Sequence, residues 1–401
     1  MLIRFSFKNF KSFKNENCLD MEATSLKEHE YNIAKTENGE YLKVLAIYGA
    51  NASGKTNVLQ AFGYMKNRVL ITDDSRKNSP AEENVFSYMI NNEPISLEVE
   101  ILAKNGKVYK YGFEVLKDYI ISEWLFEKRI NKFYTIFERD SNNVILKDEN
   151  KKQEFSNMDE RTLFLNIYSK IDSNNKDLNN VVEWFINANY LDLGNPLFEN
   201  NINNRISLKI LSDEKYKNEL IRFIKTFDSG IEGIKVTPDS VEAVKNNGVV
   251  KIELIHKGEN GIIKALPLEL ESNGTRKMFH LFDFFMDALK LGMVLFVDEL
   301  DAKLHPLLTR YIINLFHNPE TNIGNGQLIY STHDTVNLNK DTFRRDEIWF
   351  AEKNKDGIST IYSLSDYKIN DTKVRNDATY NKDYLSGRYG AIPVLENFVK
   401  F

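Results

Sequence analysis

The segment Gly49-Ala50-Asn51-Ala52-Ser53-Gly54-Lys55-Thr56 constrains this chain more than any other. It fits G-x-x-x-x-G-K-[ST], and its neighbours are the ones that the pattern needs. Before it, Leu42 to Tyr48 is a short apolar run that reads as a buried parallel strand. After it, Asn57 to Val69 has helical spacing. A strand, a glycine loop and a helix in this order gather backbone N–H groups and a helix N-terminus around one point, a cradle for phosphate. Lys55 would reach the β- and γ-phosphates, and the Thr56 hydroxyl would hold Mg²⁺. Gly49, Ala50, Asn51, Ala52, Ser53, Gly54, Lys55, Thr56 and Asn57 are therefore the candidate ATP-binding residues.

Two later strand ends add chemistry. Val294-Leu295-Phe296-Val297 is apolar and ends in Asp298-Glu299. In P-loop enzymes a carboxylate at this place serves the Mg²⁺ shell, so Asp298 joins Thr56 as a candidate metal residue. Glu299 is placed to take a proton from an attacking water. The plainer alternative is two acids capping a strand as it surfaces. Gln327 to Tyr330 is a third buried strand and leads into Ser331-Thr332-His333-Asp334. Parallel α/β sheets collect such ends in one crevice, which brings His333, about 35 residues beyond Asp298, toward the γ-phosphate as a sensor. With Lys55, Glu299 and His333 are the candidate catalytic residues.

Glu271-Ser272-Asn273-Gly274-Thr275-Arg276 precedes a helix expected from about Gly274 to Leu289. Ser and Gly there suit an ordinary N-cap, and equally an anion site at the same N-terminus. Ile95 to Leu116 alternates in the manner of a strand meander, with an Asn105-Gly106 hairpin turn, and Trp124 to Ile145 continues it. Helical spacing replaces alternation between about Arg161 and Phe227.

Composition narrows the class. With 53 basic and 58 acidic residues the net charge is −5, which argues against a surface that coats nucleic acid. A single cysteine, Cys18, excludes an internal disulfide and any cysteine zinc cluster. Met1 to Phe5 carries no apolar leader, and no apolar run reaches membrane-spanning length. The expectation is a cytoplasmic protein without membrane contact.

The order P-loop, long gap, Ser-x-Gly turn, Asp298-Glu299, Leu300-Asp301 and a strand leading to His333 resembles ATP-binding-cassette (ABC) ATPases. It is closer to their soluble branch, with the RecF, SMC and OLD (overcoming-lysogenization-defect) families, whose first hairpin Phe7-Lys8-Asn9-Phe10-Lys11-Ser12-Phe13 looks like. The resemblance covers roughly 1–120 and 240–350. It implies an α/β fold: an ABC-type P-loop ATPase head with a mixed sheet, helices, an antiparallel β subdomain and an inserted helical lobe. The expected boundaries are 1–160 for the N-terminal part of the head, 161–233 for the helical insertion and 234–401 for the rest of the head. It further implies two heads sandwiching ATP, hence a homodimer or a higher even oligomer. Ser272, Asn273 and Gly274 would then meet the γ-phosphate held by the other subunit, and Asp301 would couple the two sites. The pattern departs from the family where Leu-Ser-Gly-Gly is replaced by Glu271-Ser272-Asn273-Gly274, and no glutamine fits a Q-loop.

The tail Asp383-Tyr384-Leu385-Ser386-Gly387-Arg388-Tyr389-Gly390-Ala391-Ile392-Pro393 is similar to that of RloA/AbiLi-type ATPases of prokaryotic abortive-infection modules. Arg388 between tyrosines suits a docking role, although glycine and proline equally suit a turn that pins the C-terminus to the sheet. Arg4, Lys8, Lys11 and Lys14 read as a solvated strand edge, with Lys11 or Ser12 near nucleotide by resemblance only.

The resemblance implies an ATPase that acts as sensor or regulatory subunit of an anti-phage system. OLD-type relatives carry a Toprim nuclease after the head, and about 65 residues follow His333, fewer than such a domain needs. The effector is therefore expected to be a separate protein, Toprim-like or another nuclease. The competing reading is a RecF-like DNA-repair ATPase, which leaves DNA open as a partner. A transporter nucleotide-binding domain fits less well, because of the helical insertion and the N-terminal hairpin.

Overall fold

Three five-residue runs, Val44–Tyr48, Val294–Asp298 and Gln327–Ser331, are buried along their whole length. Strands covered on both faces need apolar side chains at every position, so they show no alternation. In the computed structural model they are neighbours in a six-stranded sheet. Its order is Ala188–Asp192, Val294–Asp298, Gln327–Ser331, Val44–Tyr48, Ile348–Lys353, Ser359–Ser363. The pairs joining the second to the fifth strand are parallel, and the last pair is antiparallel. Strands far apart in the chain thus share one sheet. The structure describes residues 1–71, 86, 93–148, 151–171, 175–198, 207, 209–238, 250–369 and 372–393.

The expected meander is an eight-stranded antiparallel sheet, in the order Lys151–Phe155, Asn143–Asp148, Lys132–Asp140, Tyr119–Arg129, Val108–Leu116, Ile95–Leu102, Leu2–Lys8, Asn17–Asp20. The Asn105-Gly106 turn joins Ile95–Leu102 to Val108–Leu116, with Gly106 at φ 79°. The helix Lys55–Leu70 packs between the two sheets. Phe62 on it stacks on Phe296 of the six-stranded sheet at 3.7 Å between ring centres, and meets Phe5 of the eight-stranded sheet edge-on at 5.7 Å. Truncating such a ring costs about 3–5 kcal/mol. Gln327, fully buried, ties the sheets together: it accepts from Leu2 N at 2.6 Å and donates to Leu2 O and Leu42 O, each at 3.0 Å.

The chain divides into two compact units. The first is Met1–Leu191, Ala288–Leu300 and Arg310–Phe401; the second is Asp192–Asp287 with Asp301–Thr309. This division differs from the expected one at both ends of the insertion. The helices Phe164–Ile171 and Lys176–Asn187 belong to the first unit, because their apolar stripes are used there. Phe185 meets Tyr111 at 5.8 Å and Trp184 meets Phe62 at 6.0 Å. The strands Ile231–Pro238, Val250–Lys257 and Ile263–Pro267 form a three-stranded antiparallel sheet in the second unit. The helix Glu214–Lys225 is capped by Asp213, which accepts from Tyr216 N at 3.0 Å, and packs on the first of these strands. Its Phe223 also meets Phe282 and Phe285 of the helix Asn273–Leu291. The second unit is therefore mixed rather than helical.

Candidate functional site

The P-loop follows directly from the strand Val44–Tyr48 and ends in the helix Lys55–Leu70. Its tip, Asn51 and Ala52, is exposed, whereas Ser53, Gly54 and Lys55 are buried. Gly54 caps the helix in the left-handed region at φ 112°, and a Cβ there would lie 2.8 Å from Ser359 Oγ and 3.0 Å from Ser12 Oγ. Only glycine gives this conformation and this approach together. The Lys55 ammonium donates to Gly49 O at 2.8 Å and Ala50 O at 3.0 Å. Ser53 Oγ is buried without a hydrogen-bond partner among the described residues. A buried hydroxyl of this kind costs free energy unless a further polar group completes it.

The N-terminal hairpin lies against the same helix start. Asn57 Nδ2 donates to Ser12 Oγ at 2.8 Å, and Ser359 N donates to Ser12 O at 2.8 Å. Lys11 donates instead to Gln60 on the helix, at 2.6 Å. Phe5, Phe7, Phe10 and Phe13 of this hairpin are buried in the core.

The parallel register brings the other strand ends beside the loop. Val297 pairs with Tyr330, and Ser331 pairs with Ile47. Asp298 is 2% exposed, and its Oδ1 accepts from Ser331 Oγ. The same hydroxyl accepts from Glu299 N at 2.8 Å. Ser331 thus fixes both carboxylate-bearing residues at once. Glu299 is half-buried and sits at φ 52°, a left-handed conformation that a non-glycine residue takes at a cost and that gathers at functional sites. His333 is exposed just past the end of the strand Gln327–Ser331.

The residues present fit ATP and Mg²⁺. The donor set for a cation is the Thr56 hydroxyl with Asp298, all oxygen. Among the described residues no three His, Cys, Asp or Glu side chains converge on a metal position. A sparse oxygen set suits Mg²⁺, which keeps waters and takes substrate phosphates as its other ligands.

Ser272, Asn273, Gly274 and Asp301 belong to the second unit. Ser272 Oγ accepts from Thr275 N at 3.1 Å, the N-cap of the helix Asn273–Leu291. Ser272 and Asn273 are exposed. Behind them Glu271 is buried and meets His256 Nε2 at 2.6 Å. Lys277 donates to Ala302 O at 2.5 Å, so the turn after Asp301 packs on the first turns of this helix.

Ser331, Ser359, Ala351 and Ala391 border the loop without having been legible as site residues. The tail carries the last of them: Ala50 N donates to Ala391 O at 2.9 Å. Arg388 is exposed and pairs with Asp383 of its own turn at 3.0 Å. The turn alternative for the tail is the arrangement present.

The sequence family described as "AAA domain, putative AbiEii toxin, Type IV TA system" matches residues 44–339. No curated protein matches the chain by sequence. Among solved structures, the SMC head bound to the C-terminal winged-helix domain of ScpA is 16% identical; the match covers 90% of this chain and 97% of that one, with a TM-score of 0.51. The SMC head domain from Thermotoga maritima is 14% identical over 92% and 99%, with a TM-score of 0.46. The RecF recombination mediator solved with an ATP analogue is 13% identical over 90% and 98%, at 0.38. The likeness of fold rests on the first of these.

Proposed function

The chain belongs to the family of AAA domains described as putative AbiEii toxin, Type IV TA system, and from that premise we propose that it hydrolyses ATP as the regulatory subunit of an anti-phage, abortive-infection module. The observation that carries the ATPase reading is the meeting of three strand ends: the P-loop, Asp298-Glu299 and the His333 turn leave adjacent parallel strands. The backbone of 51–56 wraps the phosphates, and Lys55 neutralises the γ-phosphate. Thr56 and Asp298 would hold Mg²⁺, which would supply charge neutralisation to the phosphates. Glu299 accepts a proton as the water oxygen bonds to the γ-phosphorus and the bond to the β–γ bridging oxygen breaks. His333 contacts the γ-phosphate from the neighbouring strand end. Exposed Ser272 and Asn273, with Gly274, face the nucleotide of a second copy, and Asp301 links the two sites.

The resemblance of the tail supports the finer reading, an RloA/AbiLi-type ATPase that controls a separate nuclease effector. Nucleotide state is the switch: the γ-phosphate holds two heads together, and its loss frees them. Glu299→Gln tests this. With ATP and Mg²⁺ it should elute at the mass of two chains and turn over roughly 10²-fold or more slowly than wild type. Unchanged turnover removes Glu299 as the base, and a persistent single-chain mass removes the sandwich.

A further inference from the structure

The tail segment Tyr384–Ala391 reaches the start of the P-loop. The relevant group is one peptide unit, Gly49–Ala50. Its carbonyl oxygen, Gly49 O, accepts from Lys55 Nζ at 2.8 Å. Its N–H, on Ala50, donates to Ala391 O at 2.9 Å. A trans peptide is planar, with N–H and C=O pointing to opposite sides. Lysine and tail therefore grip the same plane from its two edges, and the plane cannot turn while both hold.

The gripping carbonyl is itself built in. Ala391 is buried, and its oxygen takes a second donor, Tyr384 Oη, at 3.1 Å. Burial pushes the Tyr384 hydroxyl up to about 12, so it stays a donor at neutral pH. The Tyr384 ring stacks on Phe350 at 5.3 Å and meets Tyr48, the last residue of the P-loop strand, at 6.3 Å. One turn further, Tyr362 Oη donates to Tyr389 O at 2.6 Å. Gly390 between them is at φ 69°, and a Cβ there would lie 2.8 Å from Tyr362 Oη. The segment is shaped to present Ala391 O to Ala50, with Arg388 and Leu385 left outward.

We propose that Tyr384, Gly390 and Ala391 are positioning residues of the nucleotide site, which set the Gly49–Ala50 peptide and through it the Lys55 ammonium for the γ-phosphate. The proposal rests on the ATP-site reading above. Loss of the tail bond frees the peptide to rotate, removes one anchor of Lys55 and turns a carbonyl dipole toward the phosphate position. Whatever binds the outward face of the tail can therefore change nucleotide affinity without touching nucleotide.

The test uses the full chain with Tyr384→Phe, which keeps the ring stack and removes one hydroxyl, and Gly390→Ala, which strains the presentation of Ala391. Amide hydrogen exchange without nucleotide should be faster at Ala50 in both variants. ATP affinity by calorimetry should fall about 3–10-fold in Tyr384→Phe, the range for one lost hydrogen bond, and further in Gly390→Ala. Unfolding temperatures without nucleotide should move little for Tyr384→Phe, which separates positioning from general damage. Unchanged Ala50 exchange in both variants overturns the grip. Wild-type ATP affinity in variants with faster exchange overturns the positioning role. Should Gly390→Ala fail to fold, Tyr384→Phe decides alone. A wild-type chain that binds no ATP overturns the nucleotide-site reading and the positioning with it, whereas normal wild-type binding beside unaltered variants overturns the positioning only.

Discussion

At the P-loop, the helix Lys55–Leu70 begins among buried residues; Ser12 accepts from the Asn57 side chain, Ser359 Oγ donates to Ser53 O, and Ala391 O accepts from Ala50 N. At Ser272, the helix Asn273–Leu291 begins with Asn273 exposed and is capped by the Ser272 hydroxyl. Both are helix N-termini able to meet an anion. The first is completed inside one chain. The second offers an open turn beside the Glu271–His256 pair, the surface proposed above to meet a second copy. Similar local chemistry is thus packed in two different ways.

The largest expected effect comes from breaking the closed end. Lys55→Ala removes the charge proposed to meet the γ-phosphate and the two bonds to Gly49 O and Ala50 O. ATP binding measured by calorimetry should drop by roughly 10²-fold or more; tight binding in the variant would refute the P-loop role.

The open end should behave differently. Ser272→Ala costs about 1 kcal/mol as a lost cap, seen as a lower unfolding temperature. It should leave ATP binding by the single chain intact and reduce turnover. Mixing Lys55→Ala and Ser272→Ala chains separates sharing across subunits from action within one. In a shared dimer, one site combines both defects and the other has neither, so part of the turnover returns. If each turn serves its own P-loop, both sites stay defective and none returns.

The smallest effect concerns the buried helix itself. Lys66 is drawn down to about 8 by burial, and it donates to Ala188 O. A lysine depressed in the folded state binds its proton more tightly when unfolded. Stability therefore rises with pH between about 8 and the ordinary value of 10.5. In urea unfolding, the advantage of Lys66→Met over wild type should shrink across that window. A constant gap would mean that the ammonium is solvated.

Much of the site was legible in the sequence. Gly54, Lys55 and Thr56 lie on a contiguous strand–loop–helix, and Asp298 and His333 sit at ends of apolar runs that could be read one at a time. Ser331 was not legible, because nothing local distinguishes a serine that fixes Asp298 and Glu299 from one that merely ends a strand. The helices at 164–187 looked like part of the insertion because periodicity reports an apolar stripe but not what covers it. Tyr111 and Phe62, distant in sequence, draw them into the first unit.

Residue types alone determined the phosphate cradle, the buried strands and the acid pair, since glycine conformations, unbroken apolar runs and caps are requirements on neighbouring residues. Only the tertiary structure decided that Ala391 would grip Ala50, that Ser12 and Ser359 would close around Gly54, and that the strands after residue 230 would build a separate small sheet. Those outcomes depend on which strands pair with which, and pairing is fixed by the burial of surfaces hundreds of residues apart in the chain.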